Sequence, residues 1–209
     1  MIGYRNRRAV VLGLGLTGLS LARFLVRQGA DVRVADTRAD PPNRDTLQAE
    51  LPDVRVVTGP YVDETFADTD LIAISPGVDA RDAAIRAAVT RGTEIAGDIE
   101  LFARELPADQ KVLAITGTNG KTTVAALTGA LTRAAGLQTV IAGNIGTPVL
   151  DALATQTAGA PWPRVFVLEL SSYQLETTMS LKPIAAAVLN VSPNHMDRYA
   201  GIADYAGAK

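Results

Sequence analysis

Residues Gly117-Thr-Asn-Gly-Lys-Thr-Thr123 combine three chemical parts in seven positions. Glycines let the backbone turn tightly and point its N–H groups at an anion. Lys121 brings a positive charge, and Thr122 and Thr123 bring hydroxyls that reach a hard cation. The stretch follows the apolar run Lys111–Thr116, which has the character of a buried strand. It precedes Val124-Ala-Ala-Leu-Thr-Gly-Ala-Leu131, which has helical spacing. Strand, glycine turn, Lys-Thr and helix make a cradle for a triphosphate. The motif departs from the common G-x-x-x-x-G-K-[ST] form, because Ile115 stands where its first glycine belongs.

A second glycine loop lies near the N-terminus. Gly13-Leu-Gly-Leu-Thr-Gly18 fits G-x-G-x-x-G between a strand and a helix, and Asp36 ends the next strand. That context predicts a nucleotide or dinucleotide site, with Asp36, Thr37 and Arg38 at the ribose, base or phosphates. The bland alternative is glycine used only for close helix–strand packing. Ser75-Pro-Gly77 follows the fourth expected strand, at the sheet edge where such folds bind ligands.

Three further residues suit metal or substrate chemistry. Glu169 ends the apolar strand Val165-Phe-Val-Leu-Glu169, and a carboxylate there is costly unless paired or metal-bound. His195 follows Asn190-Val-Ser-Pro-Asn194 at the same kind of edge. Asn144 sits in Gly143-Asn-Ile-Gly146, a pattern that also serves simple turns.

These residues need elements to hold them. Strands are predicted at Ala9–Leu12, Val32–Ala35, Val54–Thr58, Leu71–Ser75 and Glu94–Ala96. Helices are predicted at Thr17–Gln28, Asp79–Arg91 and Asp98–Arg104. The first should bury Leu19, Ala22, Leu25 and Val26, and the second Ile85, Ala88 and Val89. Glu105-Leu-Pro-Ala-Asp-Gln110 interrupts the series as a polar linker. Strands resume at Lys111–Thr116, Thr139–Ala142, Arg164–Leu170 and Ala185–Leu189. The pattern is α/β: a Rossmann-like parallel-sheet domain over 1–106, then a P-loop-type α/β domain over 107–209. Ile202–Lys209 reads as the opening of a helix, so the second domain is expected to be truncated.

Composition narrows the function. The chain has 209 residues, 47% hydrophobic and 20% charged, enough apolar material for a core. A net charge of −2 argues against nucleic acid as the main partner. With no cysteine and one histidine, disulfides, thiolate catalysis and multi-His metal centres are excluded. A reducing, cytoplasmic setting fits this usage. Arg5–Arg8 before an apolar stretch imitates a signal peptide, but Gly13, Gly15 and Gly18 break that stretch where a nucleotide fold needs them. No run is long and apolar enough for a membrane span.

Taken together, these stretches resemble the Mur ligase family, and within it the members that add D-glutamate. The resemblance is carried by the two glycine loops, Asp36–Arg38, Ser75–Gly77, Gly97-Asp-Ile-Glu-Leu-Phe102 and Gly143–Gly146. Leu168-Glu-Leu-Ser-Ser-Tyr-Gln-Leu175 and His195-Met-Asp-Arg-Tyr199 complete it. The resemblance implies a three-domain enzyme, about twice this length, of which the C-terminal domain is absent here. It implies that the first domain holds the UDP part of the substrate rather than NAD, through Leu16, Thr17, Asp36, Thr37, Arg38, Ser75 and Gly77. The second domain would bind ATP through Gly117, Thr118, Asn119, Gly120, Lys121, Thr122 and Thr123. Mg²⁺ would be held by Thr122, Glu169 and His195, and Asn144 and Ser171 would meet substrate. Lys121, Glu169, His195 and Lys209 would form the catalytic set, Lys209 aligning with a lysine carbamylated in the family.

The implied partners are UDP-N-acetylmuramoyl-L-alanine and D-glutamate, and the implied state a monomer. Asn194 departs from the family, which usually has Asp before the histidine. Other readings are a different amide ligase of the superfamily, including one that extends folate with glutamate, and a non-catalytic nucleotide sensor. An NAD-dependent oxidoreductase would explain the first loop only.

Overall fold

The computed structural model describes residues 3–157 and 161–209. It divides into two compact units, Met1–Asp98 and Ile99–Lys209. Both are parallel sheets flanked by helices.

The first unit runs β1 (Arg8–Leu12), α1 (Leu16–Arg27), β2 (Asp31–Asp36), α2 (Arg44–Glu50), β3 (Arg55–Thr58), β4 (Leu71–Ile74), α3 (Ala83–Thr90) and β5 (Glu94–Gly97). A single 3-10 turn, Asp63–Phe66, precedes β4. The strand order is β3-β2-β1-β4-β5, all parallel. Such a sheet is covered on both faces, so its inner strands read as apolar runs rather than alternating ones. Accordingly Leu71–Ile74 is buried throughout, and β1 is buried beyond Arg8. Val10, Leu12, Ile72 and Ile74 pack with Phe66, Ile85 and Ala88.

Two helical expectations need correction. α3 starts at Ala83 rather than Asp79, because the Asp82 carboxylate accepts the N–H groups of Ala84 and Ile85 and caps the helix there. Asp79 accepts from the Arg81 N–H and guanidinium, which holds the preceding residues in a turn. Val89 faces outward with 38% exposure, and Val26 is only half-buried. On α1 the residues Leu21 and Phe24 are buried beside the expected Leu19, Ala22 and Leu25. Helix α2 was not expected, since it buries only Leu47 and one apolar residue makes no periodicity.

The second unit contains most of α4 (Asp98–Glu105), then β6 (Lys111–Thr116), α5 (Lys121–Ala134), β7 (Thr139–Gly143) and α6 (Val149–Thr157). β8 (Val165–Glu169), α7 (Ser172–Leu175), β9 (Ala185–Val188) and α8 (Ile202–Gly207) follow. Its strand order is β7-β8-β6-β9, again parallel. Residues 106–110 are irregular. The units divide before them because α4 is bound into the second unit. Phe102 meets Phe166 edge-on at 5.1 Å. Buried Glu100 accepts the N–H groups of Met179 and Ser180 at 2.7 and 2.8 Å and pairs with Arg104. Burial alone would raise the Glu100 pKa, but these donors outweigh it and the pKa is lowered.

Candidate functional site

The glycine loop after β6 lies between the C-terminal ends of β8 and β9. The register sets Ile115 beside Glu169 and Thr116 beside Val188, so the loop emerges with Glu169 on one side and the residues after β9 on the other. Open parallel sheets take ligands at this edge. Gly120 is the N-cap of α5 and no side chain caps the helix. Its first-turn N–H groups have no intrahelical acceptors and face the loop's ligand side.

Lys121 folds back over the loop, donating to the Gly117 and Thr118 carbonyls at 3.0 Å each. The cation is thus held over the cradle, within reach of any anion placed there. Asn119 is fixed by a reciprocal pair with Asn190: its N–H donates to the Asn190 side chain at 2.9 Å, and its carbonyl accepts at 3.0 Å. Thr118 is buried, and its hydroxyl accepts the Ser192 N–H at 3.0 Å. Thr118 and Asn119 therefore shape the loop through the chain after β9, while Thr122 and Thr123 are exposed.

Thr122 Oγ1 donates to Glu169 Oε2 at 2.8 Å, and Asn144 Nδ2 donates to Glu169 Oε1 at 3.2 Å. Glu169 is 2% exposed, so these two donors satisfy a carboxylate otherwise stranded at the end of an apolar strand. Gly143 permits the arrangement. A Cβ there would lie 2.2 Å from the Glu169 carbonyl oxygen, and φ is +106°. The close approach also lets Asn144 N–H donate to that carbonyl at 2.8 Å. A hydroxyl and a carboxylate side by side are hard oxygen donors of the kind Mg²⁺ takes.

The other expected residues sit differently. The Ser171 hydroxyl caps α7 and accepts the Gln174 N–H, with Gln174 Oε1 accepting the Ser171 N–H in return. His195 is exposed at φ +55°, and its backbone N–H donates to the Asn194 side chain at 3.0 Å. Its ring rests on Tyr173, with centroids 4.7 Å apart. Among the described residues no hydrogen bond joins that ring to Glu169, and no group of three or more His, Asp and Glu side chains gathers as a metal centre. Lys209 Nζ donates to Thr116 Oγ1 at 3.2 Å, and burial lowers its pKa.

In the first unit the loop is closed upon itself. Leu14 N–H donates to buried Asp36 at 2.7 Å, and Ser75 Oγ donates to the Gly13 carbonyl at 3.1 Å. A Cβ on Gly18 would fall 1.8 Å from that carbonyl oxygen. Arg38 pairs with Asp36 through backbone and guanidinium, and these bonds hold the Asp36 pKa down at about 2. Asp36 is thus occupied within the loop. Leu16 (70% exposed), Thr37, Arg38 and Gly77 stand at the surface, and Thr17 is half-buried. Tyr61, which no motif marks, lies in the field of Asp36 and Arg38, with its pKa raised by burial first and by Asp36 second.

Two family models match this chain: "Mur ligase MurD-like, N-terminal domain" over residues 7–97 and "Mur ligase middle domain" over 115–209. The chain belongs to the Mur ligase family. It is 49% identical, over 100% of its length, to the UDP-N-acetylmuramoylalanine–D-glutamate ligase of Nitrosomonas eutropha, covering 45% of that protein. It is 52% identical, over 98% of its length, to the enzyme of that name from Thiobacillus denitrificans, covering 46% of it. The chain thus spans about half the length of these relatives.

Solved Mur ligases share the fold. A UDP-N-acetylmuramate:L-alanyl-γ-D-glutamyl-meso-diaminopimelate ligase from Neisseria meningitides superposes with a TM-score of 0.59 at 18% identity, over 97% of this chain and 66% of that one. UDP-N-acetylmuramate-alanine ligase from Thermotoga maritima gives 0.52 at 18% identity, over 96% and 45%. No helix among the described residues is long and apolar enough to cross a membrane.

The residues that motif reading missed are two supports of the loop, Asn190, which pairs with Asn119, and Tyr205, whose hydroxyl lies 3.1 Å from Thr118 Oγ1. Their partners are distant in sequence, and only Asn190's place just after a strand hinted at a role.

Proposed function

We propose that this chain is the UDP-substrate- and ATP-binding part of a ligase of peptidoglycan precursor synthesis. The reaction joins D-glutamate to UDP-N-acetylmuramoyl-L-alanine. The observation that carries the reading is the Thr122–Glu169–Asn144 group beside the Lys121 loop, in a chain about half identical to relatives of that name. A cytoplasmic location fits ATP and a UDP-linked substrate.

The L-alanine carboxylate attacks the γ-phosphorus of ATP, the bond to the β-phosphate oxygen breaks, and ADP leaves. The resulting acyl phosphate is a good acyl donor where the carboxylate was a poor one. The D-glutamate amine adds to its carbonyl and loses a proton. The tetrahedral intermediate then expels phosphate, leaving the amide. Protein groups act by positioning and by opposing charge. Lys121 leaves the loop carbonyls for the phosphates, and the α5 N-terminus faces the same oxygens. Asn144, exposed and tied to Glu169, orients the substrate carboxyl.

Thr122, Glu169 and His195 would hold Mg²⁺, which neutralises phosphate charge when bound. A carbamate on Lys209, whose lowered pKa favours the neutral amine that takes up CO₂, would add an anion to that side. In the first unit, Leu16, Thr17, Thr37, Arg38, Ser75 and Gly77 receive the uridine and phosphates. Asp36 holds Arg38 in place for them.

Calorimetric titration tests the reading. The chain should bind UDP-N-acetylmuramoyl-L-alanine and, independently, ATP with Mg²⁺, and Lys121→Ala should lose only the second. No ATP binding at millimolar concentration would overturn it.

A further inference from the structure

We infer that Tyr205 is a positioning residue that ties the phosphate loop, the His195 segment and Lys209 into one arrangement. The inference about nucleotide affinity rests on the ATP reading above, whereas the claim about order in the unliganded chain does not.

Tyr205 is 1% exposed on the short helix α8. Its hydroxyl lies 3.1 Å from Thr118 Oγ1, inside the glycine loop. That Thr118 oxygen also accepts the Ser192 N–H, and it lies 3.3 Å from the Ser192 carbonyl, to which it donates. With the Thr118 proton on Ser192, the Tyr205 hydroxyl is the donor to Thr118. One buried hydroxyl pair thereby joins the loop after β6, the chain after β9 and α8.

The ring faces the remaining parts. Tyr199 packs at 5.2 Å between centroids and His195 at 6.4 Å, edge-on. Lys209 Nζ stands 4.8 Å over the ring face, a cation–π distance. The same ammonium donates to Thr116 Oγ1, one residue before the loop begins. Lys209 lies two residues beyond the end of α8, where its backbone N–H donates to the Ala206 carbonyl at 3.1 Å, so the turn that closes the helix holds it near Tyr205.

A plain core aromatic would need only apolar neighbours. Here a buried polar tip is aimed at the one loop threonine whose hydroxyl is not at the surface, and the ring meets a histidine and a lysine proposed to act at the site. Loss of the hydroxyl should free the loop without opening the core. Preorganised donors act better than donors that must first be ordered.

The test is Tyr205→Phe in the whole chain, which keeps the ring and deletes the tip. Hydrogen exchange without ligand should speed up at least fivefold at residues 117–121 and 192–195, with amides of β1 and β4 unchanged. The affinity for ATP with Mg²⁺ should fall about tenfold, with Tm within about 3 °C of the parent. Unchanged exchange in both segments would overturn the inference, as would faster exchange with undiminished ATP affinity. If the parent chain binds no ATP, the ligase reading fails and exchange alone decides the role of Tyr205. Should Tyr205→Phe not fold, Thr118→Val must speed exchange across α8 and Thr118→Ser must restore it. Parent-like exchange of α8 in Thr118→Val would also overturn the inference.

Discussion

Two glycine loops in one chain do opposite things with their polar groups. The loop at Gly13–Gly18 is closed: Asp36 takes the Leu14 N–H, Ser75 takes the Gly13 carbonyl, and Gly18 fills the last space. The loop at Gly117–Thr123 holds a lysine over its own carbonyls, and Thr122 rests on Glu169. Both start a helix after a central parallel strand. The first therefore has its polar groups engaged within the loop, and the residues proposed to take a ligand there are its neighbours at the surface. The second carries the cation and hard oxygens that a triphosphate with its metal requires. A glycine motif fixes the turn; the side chains that close or leave open its polar groups decide the chemistry.

The largest expected effects come from filling the close contacts. Gly18→Ala and Gly143→Ala each drive a Cβ into a backbone carbonyl, at 1.8 and 2.2 Å. Each should cost about 3–5 kcal/mol, confined to its own unit, as read by hydrogen exchange in the two sheets. If either is tolerated within about 1 kcal/mol, that loop is looser than its contacts state and the contrast weakens.

Next comes Lys121→Ala, which should weaken ATP binding by about 2–3 kcal/mol, on the order of a hundredfold. Binding of UDP-N-acetylmuramoyl-L-alanine should stay as in the parent. Equal loss of both ligands would erase the distinction between the loops.

Asp36 sharpens the comparison through pH. Its carboxyl is held at about 2, chiefly by the Arg38 side chain, against an ordinary value of 3.8. A depressed folded pKa gives stability that is present above the unfolded value and lost as pH falls through the folded one. The first unit should thus lose about 1–2 kcal/mol between pH 4 and pH 2, discounted because Arg38 is half-exposed. Asp36→Asn should remove this dependence and cost a similar amount at pH 7. Acid unfolding monitored by exchange in β1 and β2 checks both.

The smallest effect belongs to Asn194→Asp. The side chain accepts the His195 N–H at positive φ, and a carboxylate oxygen does the same. Stability and ATP affinity at limiting Mg²⁺ should move by less than about 0.5 kcal/mol. A larger gain in affinity would show that charge at this position supports the metal.

Much of this was legible in residue order. Nine strands and the helices after each glycine loop follow from apolar runs and punctuation, and Lys121, Thr122 and Glu169 were marked by type and position. What escaped depends on contacts across the fold. Glu100 reaches the 179–180 backbone, Asn190 pairs with Asn119, and Tyr205 meets Thr118. α3 began late because one aspartate caps it, which periodicity does not register. That Asp36 and Ser171 are engaged by a loop and a helix cap also lay beyond motif reading, since their residue types suit both tasks.

The most direct measurement is amide chemical-shift mapping by NMR while ATP with Mg²⁺ is added to the whole chain. The perturbed amides should be those of residues 117–123, with Asn144 and Glu169, while residues 13–18 stay still. Perturbation centred on residues 13–18, with the second loop unmoved, would contradict it.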